Sequence, residues 1–159
     1  MKSTPTDHAS DPPADFGVLL NLAFGAFKVR LHAKLAGAGF DDIGPSFGYV
    51  FRLLATEPGN LRGLAEALGM TAPGALKIVN DMVDKGYVER AEHAADARQK
   101  LLRLTPRAHA AMEVAHAFHL AFEAGLAERL GVREARAARR VLEAIVAASG
   151  EGAVALRPV

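Results

Sequence analysis

The side chains best suited to chemistry form a basic run, Arg98, Lys100, Arg103 and Arg107, with no acidic residue between Ala97 and Glu113. Guanidinium and ammonium groups at that density bind phosphates, singly or along a polymer. On a solvated strand edge the same run would merely discourage aggregation, so alone it decides little. Residues 61–107 hold eight Lys or Arg against six Asp or Glu, so any electrostatic footprint belongs to the run rather than to the segment. A second cluster is His109, Glu113 and His116, at spacings of four and three on one helical face, with His119 three further on. Together with His32 the set has zinc-like spacing. No carboxylate-rich partner segment accompanies it, so a solvated helix face is the better reading and no metal is expected. There is no Ser/His/Asp order, phosphate loop or carboxylate pair, and an enzyme is not expected.

Composition narrows the class further. The chain has 159 residues, 50% hydrophobic and 23% charged, which fits one globular domain or one subunit of a small oligomer. Aromatics are 6%, Trp is absent and alanine makes up about a fifth of the chain, a helix-leaning background. No cysteine is present, which excludes a disulfide framework, Cys-ligated zinc and thiol-based sensing. A net charge of +1 attracts nothing strongly. No segment approaches the ~20 apolar residues of a membrane span. The N-terminal residues lack an apolar signal core, so a cytoplasmic protein with no membrane partner is expected.

Stepping along the chain, residues 1–13 read as a tail and residues 150–159 as loosely held. Phe16, Leu20, Ala23, Phe27, Leu31 and Leu35 recur every three or four residues, a first helix that Leu19 and Phe24 make unusually apolar. It should end near Gly37 and Gly39. A second helix is expected over residues 46–56, a third over 61–68 capped by Asn60, and a fourth from Thr71, with Pro73 in its first turn. Ala75, Ile78, Val79 and Met82 form the buried stripe of the fourth. Strands are expected over residues 87–92 and 99–105, joined by a six-residue loop, with Val88, Leu102 and Leu104 inward. A long helix follows Pro106, Gly131 interrupts it, and residues 132–148 form a last helix with Val141, Leu142, Ile145 and Val146 as its stripe. The fold class is therefore mainly α with a small two-stranded β wing.

Four stretches then stand in order: Leu64-Ala65-Glu66-Ala67-Leu68-Gly69, residues 71–86, Gly86-Tyr87-Val88-Glu89-Arg90, and Asp96-Ala97-Arg98 followed six residues later by Leu104-Thr105. In motif and spacing the chain resembles the multiple-antibiotic-resistance regulator (MarR) family across residues 15–148. The resemblance implies a winged helix-turn-helix with N- and C-terminal dimerisation helices. It divides the chain into a dimerisation helix and turn (14–44), a DNA-binding region (45–105) and C-terminal dimerisation helices (106–149). The implied partner is double-stranded DNA, read as a pseudo-palindromic site by a homodimer. The helix from Thr71 would enter the major groove, with Thr71, Pro73, Gly74, Lys77 and Asn80 at the duplex. Arg98 would reach the minor groove, where a weakly hydrated guanidinium is favoured. Asp96 would pair with Arg98 or Arg90 and shape the wing; Lys100 and Arg62 would meet phosphates.

This sequence departs from the family where Ala72, Pro73 and Gly74 open the recognition helix, since family members usually carry more polar side chains there. Specificity is then expected to lean on Lys77, Asn80, apolar contacts to thymine methyls and DNA shape. Phe16, Leu19, Leu20, Val141, Leu142, Ile145 and Val146 would form the dimer interface. No cofactor is expected beyond a small aromatic or anionic effector, with Phe24, Phe27, His32, Phe47, Phe51, Met112 and His116 as its pocket. The competing reading is a winged-helix dimer that has lost DNA binding and serves as a protein-interaction module.

Overall fold

The computed structural model describes residues 15–93 and 96–148, without the side chains of His93 and residues 96–99. The expected tails, and the side chains of Asp96 and Arg98, lie outside the described residues. Six helices and one hairpin occur in the order α1 (Phe16–Gly37), α2 (Phe47–Leu54), α3 (Leu61–Ala67), α4 (Ala72–Asp84), β1 (Val88–His93), β2 (Asp96–Leu104), α5 (Pro106–Leu130) and α6 (Val132–Ala148). This is the expected mainly α architecture with a two-stranded antiparallel wing.

Local chemistry starts the helices. Asn60 Oδ1 accepts from Gly63 N at 2.9 Å, Thr71 Oγ1 from Gly74 N at 3.3 Å, and Thr105 Oγ1 from Ala108 N at 3.3 Å. Each cap satisfies a helix N–H that has no intrahelical partner and is worth about 1 kcal/mol. The α3–α4 turn closes at Gly69 with φ +60°, a conformation that glycine enters without a Cβ clash. That turn lets Ala65 and Leu68 meet the buried stripe Ala75, Val79 and Met82 of α4.

The wing differs from expectation. The strands continue through His93 and from Asp96, so the expected six-residue loop is largely strand, and Asp96 and Arg98 lie on β2. The register sets Glu89 opposite Arg103 and Glu92 opposite Lys100. Opposite charges facing each other across an antiparallel pair favour continued pairing. Gly59 also exchanges two backbone hydrogen bonds with Leu102 (3.2 and 2.7 Å), which ties the segment before α3 to the wing.

The core runs through α2, α3, α4, the base of the wing and the start of α5, around Phe47, Val50, Leu68, Val79, Met82, Tyr87 and Val88. The outer helices contribute little to it. In α1 Leu35 alone is buried, and no residue of α6 is. α1 packs on α5, and α6 folds back on α5 beyond Gly131.

Tyr87 joins the parts. Its ring is fully buried, 5.6 Å from Phe47 and 5.7 Å from Phe51, with the Arg107 guanidinium 4.7 Å from its face. Its hydroxyl donates to Asp42 in the α1–α2 turn, and Arg107 donates to both oxygens of that carboxylate at 3.0 and 3.2 Å. The Tyr87 hydroxyl, with help from Arg107, holds the Asp42 carboxyl below the usual carboxylate range. Burial and the Asp42 carboxylate push the phenol up to about 12.

A depressed carboxylate stabilises the fold above the unfolded carboxyl value of about 4 and loses that contribution as pH falls through the folded value. Asp42→Asn should therefore lower stability at neutral pH, and its deficit should shrink as acid approaches and passes about pH 4. Tyr87→Phe should cost about 1–2 kcal/mol at pH 7. Parent and variants compared by urea unfolding across pH check both; a deficit for Asp42→Asn that does not change with pH would show the carboxylate charge to be irrelevant.

Candidate nucleic-acid interface

The core of the protein leaves one side of α4 open. Ala75, Val79 and Met82 face inward, while Pro73, Leu76, Lys77 and Asn80 are exposed, and Thr71 stands exposed at the N-terminus. Gly74 is half-buried beside the Thr71 hydroxyl, where an added Cβ would sit 3.3 Å from Oγ1. Its role is therefore packing of the cap, and a bare backbone is what it can offer a partner.

Several of the expected polar contacts already have partners within the protein. Asn80 Oδ1 accepts a hydrogen bond from Arg90 of β1, which braces the recognition helix against the wing. Arg90, expected as one of two partners for Asp96, is thus engaged elsewhere. Lys100 lies 3.7 Å from Glu92 across the hairpin, and Arg62 pairs with Glu66 one turn along α3 at 3.0 Å. Both pairs are exposed, so neither holds its cation strongly and phosphates compete for them readily. Lys77 remains an exposed ammonium on the open side. The backbone of β2 carries Asp96 and Arg98 alongside β1.

The expected effector residues do not converge. Phe47 and Phe51 belong to the core around Tyr87, a correction to their assignment as pocket walls. The cause is the short amphipathic α2, which turns both rings inward. His32 and His116 are exposed, Phe24 lies outward with Lys28 4.7 Å from its ring, and Met112 packs against the core. Phe27 alone of the set lines a sizeable groove, about 540 Å³ in volume, between α1, α5 and α6. There it meets Phe122 edge-on at 5.1 Å, with Phe118 at 5.4 Å. Leu142 and Val132 continue the apolar wall, and Arg136, Arg139, Glu123 and Glu143 complete the lining.

His119 packs at a tilt against Phe27 with ring centres 5.3 Å apart, and partial burial there pushes its imidazole below the ordinary value, assisted by Arg52. His109, Glu113 and His116 do share α5, yet among the described residues no group of three or more His, Asp or Glu is placed to hold a metal ion. Among the described residues, no helix is long and apolar enough to cross a membrane. The dimer-interface set is exposed or half-buried throughout: Phe16, Leu19 and Leu20 on α1, and Val141, Leu142, Ile145 and Val146 on α6.

Sequence reasoning missed three features. Leu76 stands 41% exposed beside Lys77. Its distance from the Ala75–Val79–Met82 stripe was readable as a large apolar side chain outside the buried face. The Arg90–Asn80 brace and the Asp42–Tyr87–Arg107 cluster join residues from different elements, and no local spacing announces them.

Residues 48–99 match the model of the MarR family. Among solved structures, the chain is similar to RV1404 from Mycobacterium tuberculosis, with a TM-score of 0.69 and 21% identity over 89% of this chain and 99% of that one. It is similar to a mutant of MarR from E. coli (TM-score 0.64, 20% identity, 86% and 99% of the two chains). It is also similar to a mutant of MepR from S. aureus bound to an oligodeoxyribonucleotide (TM-score 0.57, 19% identity, 86% and 99%). No protein of curated function matches the chain. Residues 48–99 thus match the MarR family model, and the chain as a whole has the winged helix-turn-helix fold of the solved structures to which it is similar.

Proposed function

We propose that the protein is a DNA-binding transcription regulator, not an enzyme, which acts in the cytoplasm as a homodimer on a pseudo-palindromic duplex site and represses until a small effector lowers its affinity. The observation that carries the reading is the pairing of an open-faced α4 with a neighbouring hairpin whose sequence bears Arg98, Lys100 and Arg103, joined to it by the Arg90–Asn80 contact. A helix for the major groove and an arginine-bearing hairpin beside it can engage one duplex from two grooves.

Homodimerisation is supported by apolar surface that one protomer leaves uncovered. Phe16, Val18, Leu19, Leu22, Leu130, Val132, Val141, Leu142 and Val146 are all about half exposed or more, and they lie on the outer helices α1, α5 and α6. So many large apolar side chains left exposed on the outer helices are suited to an association surface. Two-fold pairing through it would repeat α4 and the wing on both halves of a site. The effector reading is supported by the α1–α5–α6 groove, where the rings of Phe27 and Phe122 adjoin Arg136, a combination suited to an aromatic anion. A ligand that prefers the state with recognition helices wrongly spaced shifts the population away from DNA.

Fluorescence anisotropy with duplexes selected from a random pool tests the DNA reading. Affinity should fall steeply as salt rises, because bound phosphates release their counterions. Arg98→Ala should weaken binding to every duplex and reduce the salt slope by about one per protomer. A dimeric protein that ignores all duplexes at low salt would instead favour the protein-interaction module, and a monomeric one would overturn both readings. For the effector, phenolic carboxylates should raise the Tm of the parent and weaken its hold on DNA, and Phe27→Ala should abolish both effects. Thermal shift and anisotropy on the same ligand series would reveal either failure.

A further inference from the structure

Among the polar side chains that α4 offers a duplex, two are already engaged through an acceptor atom. The Thr71 hydroxyl accepts from Gly74 N as the helix cap, and Asn80 Oδ1 accepts from Arg90. That acceptor is the atom a bidentate Asn–adenine contact would use. Pro73 and Gly74 have no polar side chain at all. Lys77 remains, a flexible point charge that binds a phosphate or a guanine edge without the geometry to discriminate finely. Against this stands Leu76, 41% exposed on the open side of α4 and not among the side chains packed against the core. No carboxylate occurs from Thr71 to Asn80, so nothing on this surface repels a phosphate backbone that would bring bases to it. In the major groove, the apolar feature that such a side chain can meet is the 5-methyl group of thymine.

We infer that Leu76 is a specificity-determining residue that reads a thymine 5-methyl in the major groove of each half-site. The inference rests on the DNA-binding reading above and adds to it the class of base that α4 selects. Thymine is chosen over adenine, guanine or cytosine because it alone sets a methyl group beside its O4 acceptor, whereas against the others an isobutyl group would desolvate donors and acceptors with no apolar contact in return. The exposed position of Leu76 also means that shortening it leaves the core intact.

The test uses the full-length protein and the tightest duplex selected from a random thymine-containing pool. That duplex is resynthesised with deoxyuridine in place of each thymine in turn, which removes one methyl and leaves base pairing unchanged. Removing one contacted methyl should weaken binding about fourfold, the equivalent of uncovering one methyl-sized apolar group, and removing the symmetric pair about fifteenfold. Leu76→Ala should bind the thymine and deoxyuridine duplexes alike, with the circular dichroism and Tm of the parent. Discrimination that survives in Leu76→Ala, or a parent indifferent to every deoxyuridine substitution while still binding its duplex, overturns the assignment of Leu76 and leaves the DNA reading standing. Failure of the parent to select any duplex overturns both.

Discussion

One buried phenol connects the elements on which the rest of this fold is arranged. Tyr87 follows Gly86, whose φ of +73° turns the chain from α4 into the wing. Its N–H donates to Met82 O at 2.8 Å, so the end of the recognition helix and the start of β1 share one residue. Its carbonyl accepts from Thr105 N at 3.1 Å, and the Thr105 hydroxyl donates to Gly86 O at 2.6 Å, which brings the end of β2 and the start of α5 to the same point. Its hydroxyl reaches Asp42, in the turn that follows the first outer helix. A polar group taken out of water must find partners or cost stability. Here that requirement ties α4, the wing, α5 and the α1–α2 turn to one another. The α1–α2 turn and the end of α4 are therefore joined through packed atoms and hydrogen bonds centred on one residue.

The same economy explains the surface of α4. The Arg90–Asn80 contact removes one polar reader from the groove side and makes it a brace between helix and wing. Helix and hairpin presented at a fixed angle lose less entropy when they dock than two independently moving elements would. Under the DNA-binding reading, rigid placement would compensate for a sparse set of base-reading side chains and give the geometry of the groove more weight in recognition.

Much of this architecture was readable from the sequence, because the governing signals are local. Asn60, Thr71 and Thr105 each precede a helix and each caps it through the side chain. The Ala75–Val79–Met82 stripe follows the helical period, and Gly69 and Gly86 mark turns at positive φ. The wing was legible as a hairpin but not in its extent, since strand ends depend on cross-strand pairs such as Glu92 with Lys100 that only a register reveals. Phe47 and Phe51 show the other limit. An aromatic on a short amphipathic helix has the same sequence signature whether it walls a pocket or fills a core, and the position of Tyr87 between them decided for the core. The Asp42 carboxylate was unreadable for a related reason: its partners, Tyr87 and Arg107, lie 45 and 65 residues away.

The division between a dry centre and wet outer helices follows from where the apolar residues stand. In α2, and in α4 apart from Leu76, they keep to one face, so the helices bury it and leave the other to solvent. α1 is apolar around its circumference, with Val18, Leu19, Leu22, Phe24 and Val29 exposed on a helix that contacts the rest of the chain mainly through α5. α6 is amphipathic, yet no residue of its apolar stripe is buried. A helix of either kind is stable in water only when something covers it. Within one chain α5 provides a spine for both but cannot enclose both. The surface left uncovered lies on α1, α5 and α6, and α5 begins at Pro106 behind its cap Thr105, directly after the wing. Any association through the outer helices consequently positions the wing and α4 as a pair, because the spine that carries one end is hydrogen-bonded to the base of the other.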